Sequence, residues 1–294
     1  MPVTRLCHLL ELSRSGYYRW RARQDAPPTP RQQEQQELAL VIALLFQAHH
    51  QRPGRRPMQA LLATAGYPCS LGRVDRLMRD LGLQARRGRK RRQARRPGPS
   101  PALTAHITNH CLDAAGHRDF TSAQPGTRTV GDITRLPTGD GPVFLATVLD
   151  LATRRVLGWA IAATEDTALT CQALRAARDG QWLATEAIFH SDRGTHYTSH
   201  AFQAHCAALA VIQSMGATGV CWDNAVAEAV FATLKADLGS ELAPTTTAAR
   251  LQDWVTAYIT EWYNDRRPHT ANGGLPPTVA WNRLVAPQST VSIS

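Results

Sequence analysis

Paired cysteines are what this sequence most plainly lacks. Its six cysteines, Cys7, Cys69, Cys111, Cys171, Cys206 and Cys221, stand apart with no C-x-x-C among them, which excludes a disulfide-stapled scaffold and leaves no pattern for a tetrahedral zinc site. The nearest metal-like groupings are His106 with His110 and Cys111, and His196 with His200 and His205; neither has the second cysteine pair that would close such a site. No signal peptide opens the sequence, so a reducing cytosolic setting is expected. The longest apolar run, Leu38–Phe46, has nine residues, against about twenty for a bilayer span, so no part is expected to cross a membrane. Sustained heptads are missing too, which excludes a coiled coil.

Charge, by contrast, is plentiful and unevenly placed. The formal net charge over 294 residues is +10. Residues 1–101 hold 20 Lys and Arg against 6 Asp and Glu, a balance of +14, whereas the remainder holds 13 against 17, a balance of −4. Clustered Lys and Arg bind a polyanion by releasing its counterions, so the first third is the phosphate-seeking part and DNA its natural partner. The length exceeds a single domain of about 150 residues, and a hydrophobic content of 43% suffices for a sizeable core.

Residues 1–26 read as a short helical unit in which Leu6, Leu9 and Leu10 share a face, Ser13 can cap a second helix, and Tyr17, Tyr18 and Trp20 supply bulk. Pro27, Pro28 and Pro30 break it. A helical region is expected over 31–85, where Leu38, Val41, Ile42 and Leu45 fall at helical spacing and two shorter helices, Pro57–Ala65 and Ser70–Leu81, follow. In the last of these Val74, Leu77, Met78 and Leu81 form a stripe while Arg73, Arg76 and Arg79 point elsewhere. A helix-turn-helix has that pattern, and so does a plain bundle with a solvated basic face. Residues 86–102 form a basic linker. Arg86, Arg87, Arg89, Lys90, Arg91, Arg92, Arg95 and Arg96 fill 8 of the 11 positions Arg86–Arg96, too repulsive to pack on itself and suited to a DNA backbone; the bland alternative is a solubilising tether.

From Thr127 the pattern turns to strands: Arg128–Leu136, Val143–Asp150 and Arg155–Ala162. A helix Ala168–Arg178, a strand Ala187–His190, a helix His200–Leu209 and a strand Val211–Ser214 follow. The expected class is α/β, a mixed sheet flanked by helices over 119–240, preceded by the small all-α region and followed by a C-terminal helical extension over 241–294.

Within that α/β part stand Asp132 in TVGDITRL, Asp192 in FHSDRGTHYTS and Glu228 in CWDNAVAEAVFATLK, with 35 residues between the last two. Carboxylates converging from separate elements suit hard divalent cations, and two such ions about 4 Å apart serve phosphoryl transfer. That is nuclease or strand-transfer chemistry. Strand alternation puts Val130, Asp132 and Thr134 on one side. On a helical wheel Asn224, Glu228 and Lys235 lie within about 40° of one another, apart from the stripe Val226, Val230, Leu234 and Leu238. Taken singly, one acid among 23 is usually a surface charge. Asp140, Asp150, Asp223 and Asp265 would make a false triad as readily, and Asp150 and Asp223 have ready roles as turn and helix caps.

The stretch from Gly126 to Val285 resembles the integrase core of DDE transposases and retroviral integrases, and the whole chain resembles the OrfB subunit of IS-three-like insertion-sequence transposases. The matching pieces are DIT at Asp132, ATVLDLATRRVLGWA around Asp150, HSDRGTHYTS around Asp192, CWDNAVAEAVFATLK around Glu228 and EWYNDRRPHTANGGLPP from Glu261; upstream, LLELSRSGYYRWR and the block His49–Leu83 are similar to the family's leading helical regions. The resemblance implies an RNase H-like fold, two Mg²⁺ (Mn²⁺ as substitute) held by Asp132, Asp192 and Glu228, and DNA strand cleavage followed by 3′-hydroxyl transfer. It further implies that Lys235, with Asn224 beside it, contacts the transposon end, and that the protein works as a homo-oligomer on DNA in the cytoplasm, at the nucleoid. Recognition of the ends would involve a fused or separate upstream-frame product. Arg266, Arg267 and His269 match the C-terminal motif, as a cap on the core or as DNA contacts. Departures are Thr129 and Arg135 in place of aromatic residues, and PGRRPM over Pro53–Met58. The alternatives are a decayed or inactive DNA-binding regulator and a hybrid-directed ribonuclease.

Overall fold

The structure, a computed structural model, describes residues 3–85, 107–216, 225–242 and 245–286. Helices α1 (Val3–Leu9) and α2 (Arg14–Asp25) open it. The Ser13 hydroxyl accepts the Gly16 amide at 2.9 Å and so caps α2. The leucines and aromatics of this unit stay outside any core: Leu6, Leu9, Leu10, Tyr18 and Trp20 are all exposed, and Cys7 is the buried side chain of α1. Two helices this short cannot enclose side chains of that size by themselves.

The next three helices do enclose a core. Thr29 and Gln32 close a reciprocal capping box at the start of α3 (Pro30–Ala48), with Pro30 in the first turn. Ser70 caps α5 (Leu71–Asp80), which packs on α4 (Arg55–Thr64). Leu38, Ile42 and Phe46 from α3, Met58 and Leu62 from α4, and Val74, Leu77 and Met78 from α5 form one apolar cluster. The arginines of α5 do leave that stripe. Two of them turn to acids of their own region: Arg73 reaches Glu34 at 2.8 Å and Arg79 reaches Asp75 at 2.8 Å.

The α/β part holds a five-stranded sheet in the order β3-β2-β1-β4-β5. Strands β1 (Arg128–Leu136), β2 (Val143–Asp150) and β3 (Val156–Ala162) form an antiparallel meander; helix α6 (Thr167–Asp179) then crosses back so that β4 (Ala187–Ser191) and β5 (Val211–Met215) add parallel to β1. The mixed α/β class and its strands are as expected, to within a residue or so. β3 begins at Val156 rather than Arg155, whose guanidinium instead lies 3.9 Å from the Trp182 ring centroid.

Both faces are covered, which is why β2 is buried along nearly its whole length. Helix α8 (His200–Ala208), preceded by the single turn α7 (Thr195–Thr198), joins α6 on one face around Leu157, Leu174, Phe189 and Phe202. On the other face, α9 (Ala225–Leu238), α10 (Ala248–Ala257) and the π-helical segment Tyr258–Asn264 close over Val130, Leu145 and Leu149. α9 anchors by Ala227, Val230, Phe231, Leu234 and Leu238. A last helix, α11 (Pro277–Val285), brings Trp281 against Trp182.

Candidate active site

Asp132 lies in β1, flanked by strands on both sides, with Thr147 of β2 opposite it. Alternation sends its side chain to the face of Val130 and Thr134, both buried, where α9 packs on β1. The residue before it must be glycine for a steric reason: a Cβ on Gly131 would stand 2.1 Å from the ring of Phe189 on β4. Phe189 therefore fills the opposite face at this level while Asp132 serves the α9 face. The Ile133 amide donates to the Asp132 carboxylate at 2.8 Å.

The parallel pairing of β1 with β4 fixes where Asp192 stands. Its register runs Arg128 with Ile188, Thr129 with Phe189 and Val130 with His190. Asp132 and Asp192 thus each lie two residues beyond the last paired position, where adjacent strands about 4.8 Å apart begin to separate. Asp192 stands just past the carboxyl end of β4, and such ends are where sheets of this kind open crevices. Thr129, one of the departures from the family pattern, is buried and donates to the Ile188 carbonyl at 3.0 Å, so it stitches this same pair of strands. The Gly194 amide donates to the Asp192 carboxylate at 2.9 Å.

Glu228 occupies the first turn of α9 and Lys235 the last. By surface area Asp132 is half-buried, while Asp192 and Glu228 are exposed; protein nevertheless crowds each carboxyl enough to dominate its ionisation. Asp132 is raised well above the ordinary carboxylate range by that desolvation, then by the charges of Asp192 and Glu228, against the Ile133 hydrogen bond and Lys235. Glu228 is raised by desolvation and by Asp192. Asp192 is raised by desolvation, with the Gly194 amide and His196 opposing and Glu165 reinforcing. Solvent contact combined with strong desolvation describes groups at the wall and floor of a cleft.

The three carboxylates therefore share one electrostatic neighbourhood. They are not drawn into a single tight cage: among the described residues no group of three or more His, Cys, Asp or Glu stands close enough to hold one metal ion. Asn224 and the run Arg86, Arg87, Arg89, Lys90, Arg91, Arg92, Arg95 and Arg96 lie outside the described residues. Of the false-triad acids, Asp223 also lies outside the described residues, and the other three have other work. Asp150 is fully buried and accepts from the Gly126 amide and from the Thr153 amide and hydroxyl; Asp140 accepts from the Ala248 amide and Asp265 from the Thr278 hydroxyl.

Three neighbours of the site escaped the sequence reading. Glu165, on the β3–α6 connection, stands 3.6 Å from His196, and both act on Asp192. Tyr197 is buried beside them, its phenol raised well above the usual range by burial and then by Asp132, Asp192 and Glu165. Tyr197 and His196 lie in the same motif as Asp192 and were within reach of a closer reading. Glu165 carries no signal in the sequence.

A family model for the integrase core domain matches residues 122–221, another for the integrase core domain matches 209–277, and one for an HTH-like domain matches 32–91. Transposase InsF for insertion sequence IS3A of Escherichia coli (strain K12) is 32% identical over 291 residues, 97% of this chain and 95% of that protein. The chain belongs to the IS3 transposase family. A putative transposase for insertion sequence element IS986/IS6110 of Mycobacterium tuberculosis (strain ATCC 25177 / H37Ra) is 29% identical, covering 85% of this chain and 88% of that one. Among solved structures, the simian T-cell lymphotropic virus intasome in complex with PP2A regulatory subunit B56 gamma aligns with 84% of this chain and 76% of its own, at 17% identity and a TM-score of 0.47. The HTLV-2 integrase catalytic core domain in complex with magnesium aligns over 53% of this chain and 97% of its own, at 16% identity and a TM-score of 0.44. For this transposase-family chain the helical region over α3 to α5 is thus the HTH-like, DNA-binding part and the sheet is the integrase core. Among the described residues no helix is long and apolar enough to cross a membrane.

Proposed function

We propose that Asp132, Asp192 and Glu228 are the catalytic carboxylates of a DDE transposase, holding two Mg²⁺, with Mn²⁺ as a substitute, for cleavage and 3′-hydroxyl joining of DNA at the ends of an insertion sequence. The observation that carries this reading is the shared register of Asp132 and Asp192 beyond the last pair of β1 and β4, with Glu228 coupled to both. The donor set fits hard divalent cations: all oxygen, solvent-reachable, and burdened by mutual repulsion that a cation relieves. When bound, the ions lower the pKa of the attacking water or hydroxyl and neutralise charge at the departing 3′ oxygen.

The protein's own groups supply position. Asp132, which both other acids act on, would hold the ions together with Asp192, steadied by the Gly194 amide, and Glu228, carried on α9. Lys235, half-buried on that helix, is suited to a phosphate of the transposon end, with Asn224 on the same face by helical spacing. The run Arg86–Arg96 tracks DNA backbone between a helical unit ending near 85 and a core beginning near 119. Joining two ends calls for at least two subunits on DNA, with an upstream-frame product assisting recognition, at the nucleoid of the cytoplasm.

Incubating the purified chain with element-end DNA and Mg²⁺ or Mn²⁺ tests the proposal: metal-dependent nicking and joining are expected, and activity that survives Asp192→Asn overturns it. A second reading, a DNA-binding regulator without turnover, draws on the finding that among the described residues no three His, Cys, Asp or Glu form a group that could hold one metal ion. Salt-sensitive DNA binding with no metal-dependent nicking would favour it.

A further inference from the structure

The C-terminal motif EWYNDRRPHTANGGLPP matches the family without yielding a role from sequence. In the fold it is a joint with three attachments. Asn264 accepts the Val156 amide and donates to the Val156 carbonyl, both at 3.0 Å, so it satisfies the start of β3, the edge strand. Asn272 donates to the Thr153 carbonyl at 2.6 Å. These two fasten the motif to the sheet.

The second attachment is to α9. Asp237 is 6% exposed in the last turn of that helix, and it accepts the Tyr258 hydroxyl at 2.8 Å and the Trp262 indole N–H at 3.3 Å. Asp237 and Glu228 are nine positions apart, about 13 Å along the axis and on opposite sides of the helix. The aromatic pair thus grips α9 from behind while Glu228 faces the two aspartates.

The third attachment comes from the HTH-like region. Between α3 and α4, His50 and Gln51 take left-handed backbone (φ 53° and 60°), uncommon for two successive non-glycine residues. The turn delivers Arg52, whose guanidinium carbon lies 5.4 Å from the Tyr258 ring centroid and 5.0 Å from that of Trp262, while the His49 ring lies 5.2 Å from Trp262. Gly274, at φ +90°, meets α4: a Cβ there would be 2.6 Å from that of Ala60. The polar edges of the two rings donate to a carboxylate and their faces receive a cation. Donation to an anion enriches the ring electrons, so the two interactions reinforce one another.

We propose that Arg52 is a positioning residue, holding α9 and hence Glu228 in register through Tyr258, Trp262 and Asp237, so that seating of the HTH-like region is felt at the catalytic glutamate. The inference rests on the assignment of Glu228 made above. The test uses the full chain and compares Arg52→Met, which keeps the aliphatic stem, with Arg52→Lys, which keeps the charge. Amide exchange over 225–238 should quicken about tenfold in Arg52→Met, and the Mn²⁺ concentration for half-maximal cleavage should rise about tenfold, with element-end DNA affinity within about twofold of the parent. Arg52→Lys should recover part of both effects. Unchanged exchange over 225–238 in Arg52→Met overturns the proposal. So does faster exchange with an unchanged metal requirement, provided Glu228→Gln abolishes cleavage. If Glu228→Gln cleaves normally, the assignment of the glutamate fails, whereas the exchange result still judges the joint by itself.

Discussion

In the HTH-like region charges of opposite sign meet, and beyond the last pair of β1 and β4 charges of one sign are crowded. Arg73 pairs with Glu34, and Asp75 receives both Arg79 at 2.8 Å and Arg55 at 3.7 Å. Each such exposed pair is worth under about 1 kcal/mol, yet none opposes folding. Asp132, Asp192 and Glu228 are the reverse, each raised by desolvation and then by at least one neighbouring carboxylate. Folding does not ask for that arrangement. A chain whose charges are otherwise reconciled tolerates such a conflict where it is used. Asp150 is the comparison within the same sheet: burial raises its carboxyl as well, but against hydrogen bonds of 2.9, 2.8 and 2.6 Å from Gly126 and Thr153, and with Arg154 rather than another carboxylate acting on it.

The largest expected effect breaks the crowded side. Asp192→Asn should lower single-turnover cleavage by at least about 10³-fold while the melting temperature holds or rises. The amide oxygen can still accept from Gly194, and a repelling charge is gone. A melting temperature several degrees lower would mark Asp192 as structural and erase the contrast. Asp150→Ala should do the opposite, lowering the unfolding free energy by about 3 kcal/mol in urea titrations. Calorimetric Mn²⁺ binding to the fraction that stays folded should be unchanged; loss of binding there would make Asp150 part of the metal site.

How much of this was legible follows the same divide. Strands β1 and β2 could be read to the residue because alternation and turn residues act locally, and the stripe on α9 because helical spacing does. The meeting of Asp132 with Asp192 depends on β4 crossing to the side of β1, which no local pattern specifies. The exposure of Tyr18 and Trp20 on α2 could not be read, because bulk alone does not say whether a partner surface exists. Asp237 carries no sequence signal; its hydrogen-bond partners Tyr258 and Trp262 lie some twenty residues further on. Arg52 stands just before the departing stretch Pro53–Met58, and its partners are more distant still.

A middle-sized effect concerns the joint between the two regions. His269 is held down from 6.5 to about 4 by burial and then by Arg267 and Arg154, and its Nδ1 accepts the Ala271 amide at 3.3 Å. With the folded pKa depressed for a base, the unfolded chain binds the proton first as pH falls through 6.5. Stability should therefore decline between pH 6.5 and about 4, by no more than about 1.4 kcal/mol per unit. Urea midpoints across that window should show the decline, and His269→Gln should flatten it. An equal slope in the variant would assign the decline to other groups.

The smallest effect tests the paired side. Asp75→Asn removes the shared partner of Arg55 and Arg79 and should cost under about 1 kcal/mol, within the scatter of a melt. Its larger consequence lies in DNA binding: two guanidiniums released from an internal acid become available to phosphates, so affinity should rise about threefold at low salt. The slope of log affinity against log salt should steepen by about one to two phosphate contacts. A gain that survives at high salt would mean that Asp75 had blocked a base-edge contact rather than neutralised its neighbours, and a loss would mean that the pairs hold α5 in the geometry DNA requires. Either outcome would show that the opposite-charge pairs of the helical region are tuned for its ligand too, narrowing the difference between the two halves of the molecule.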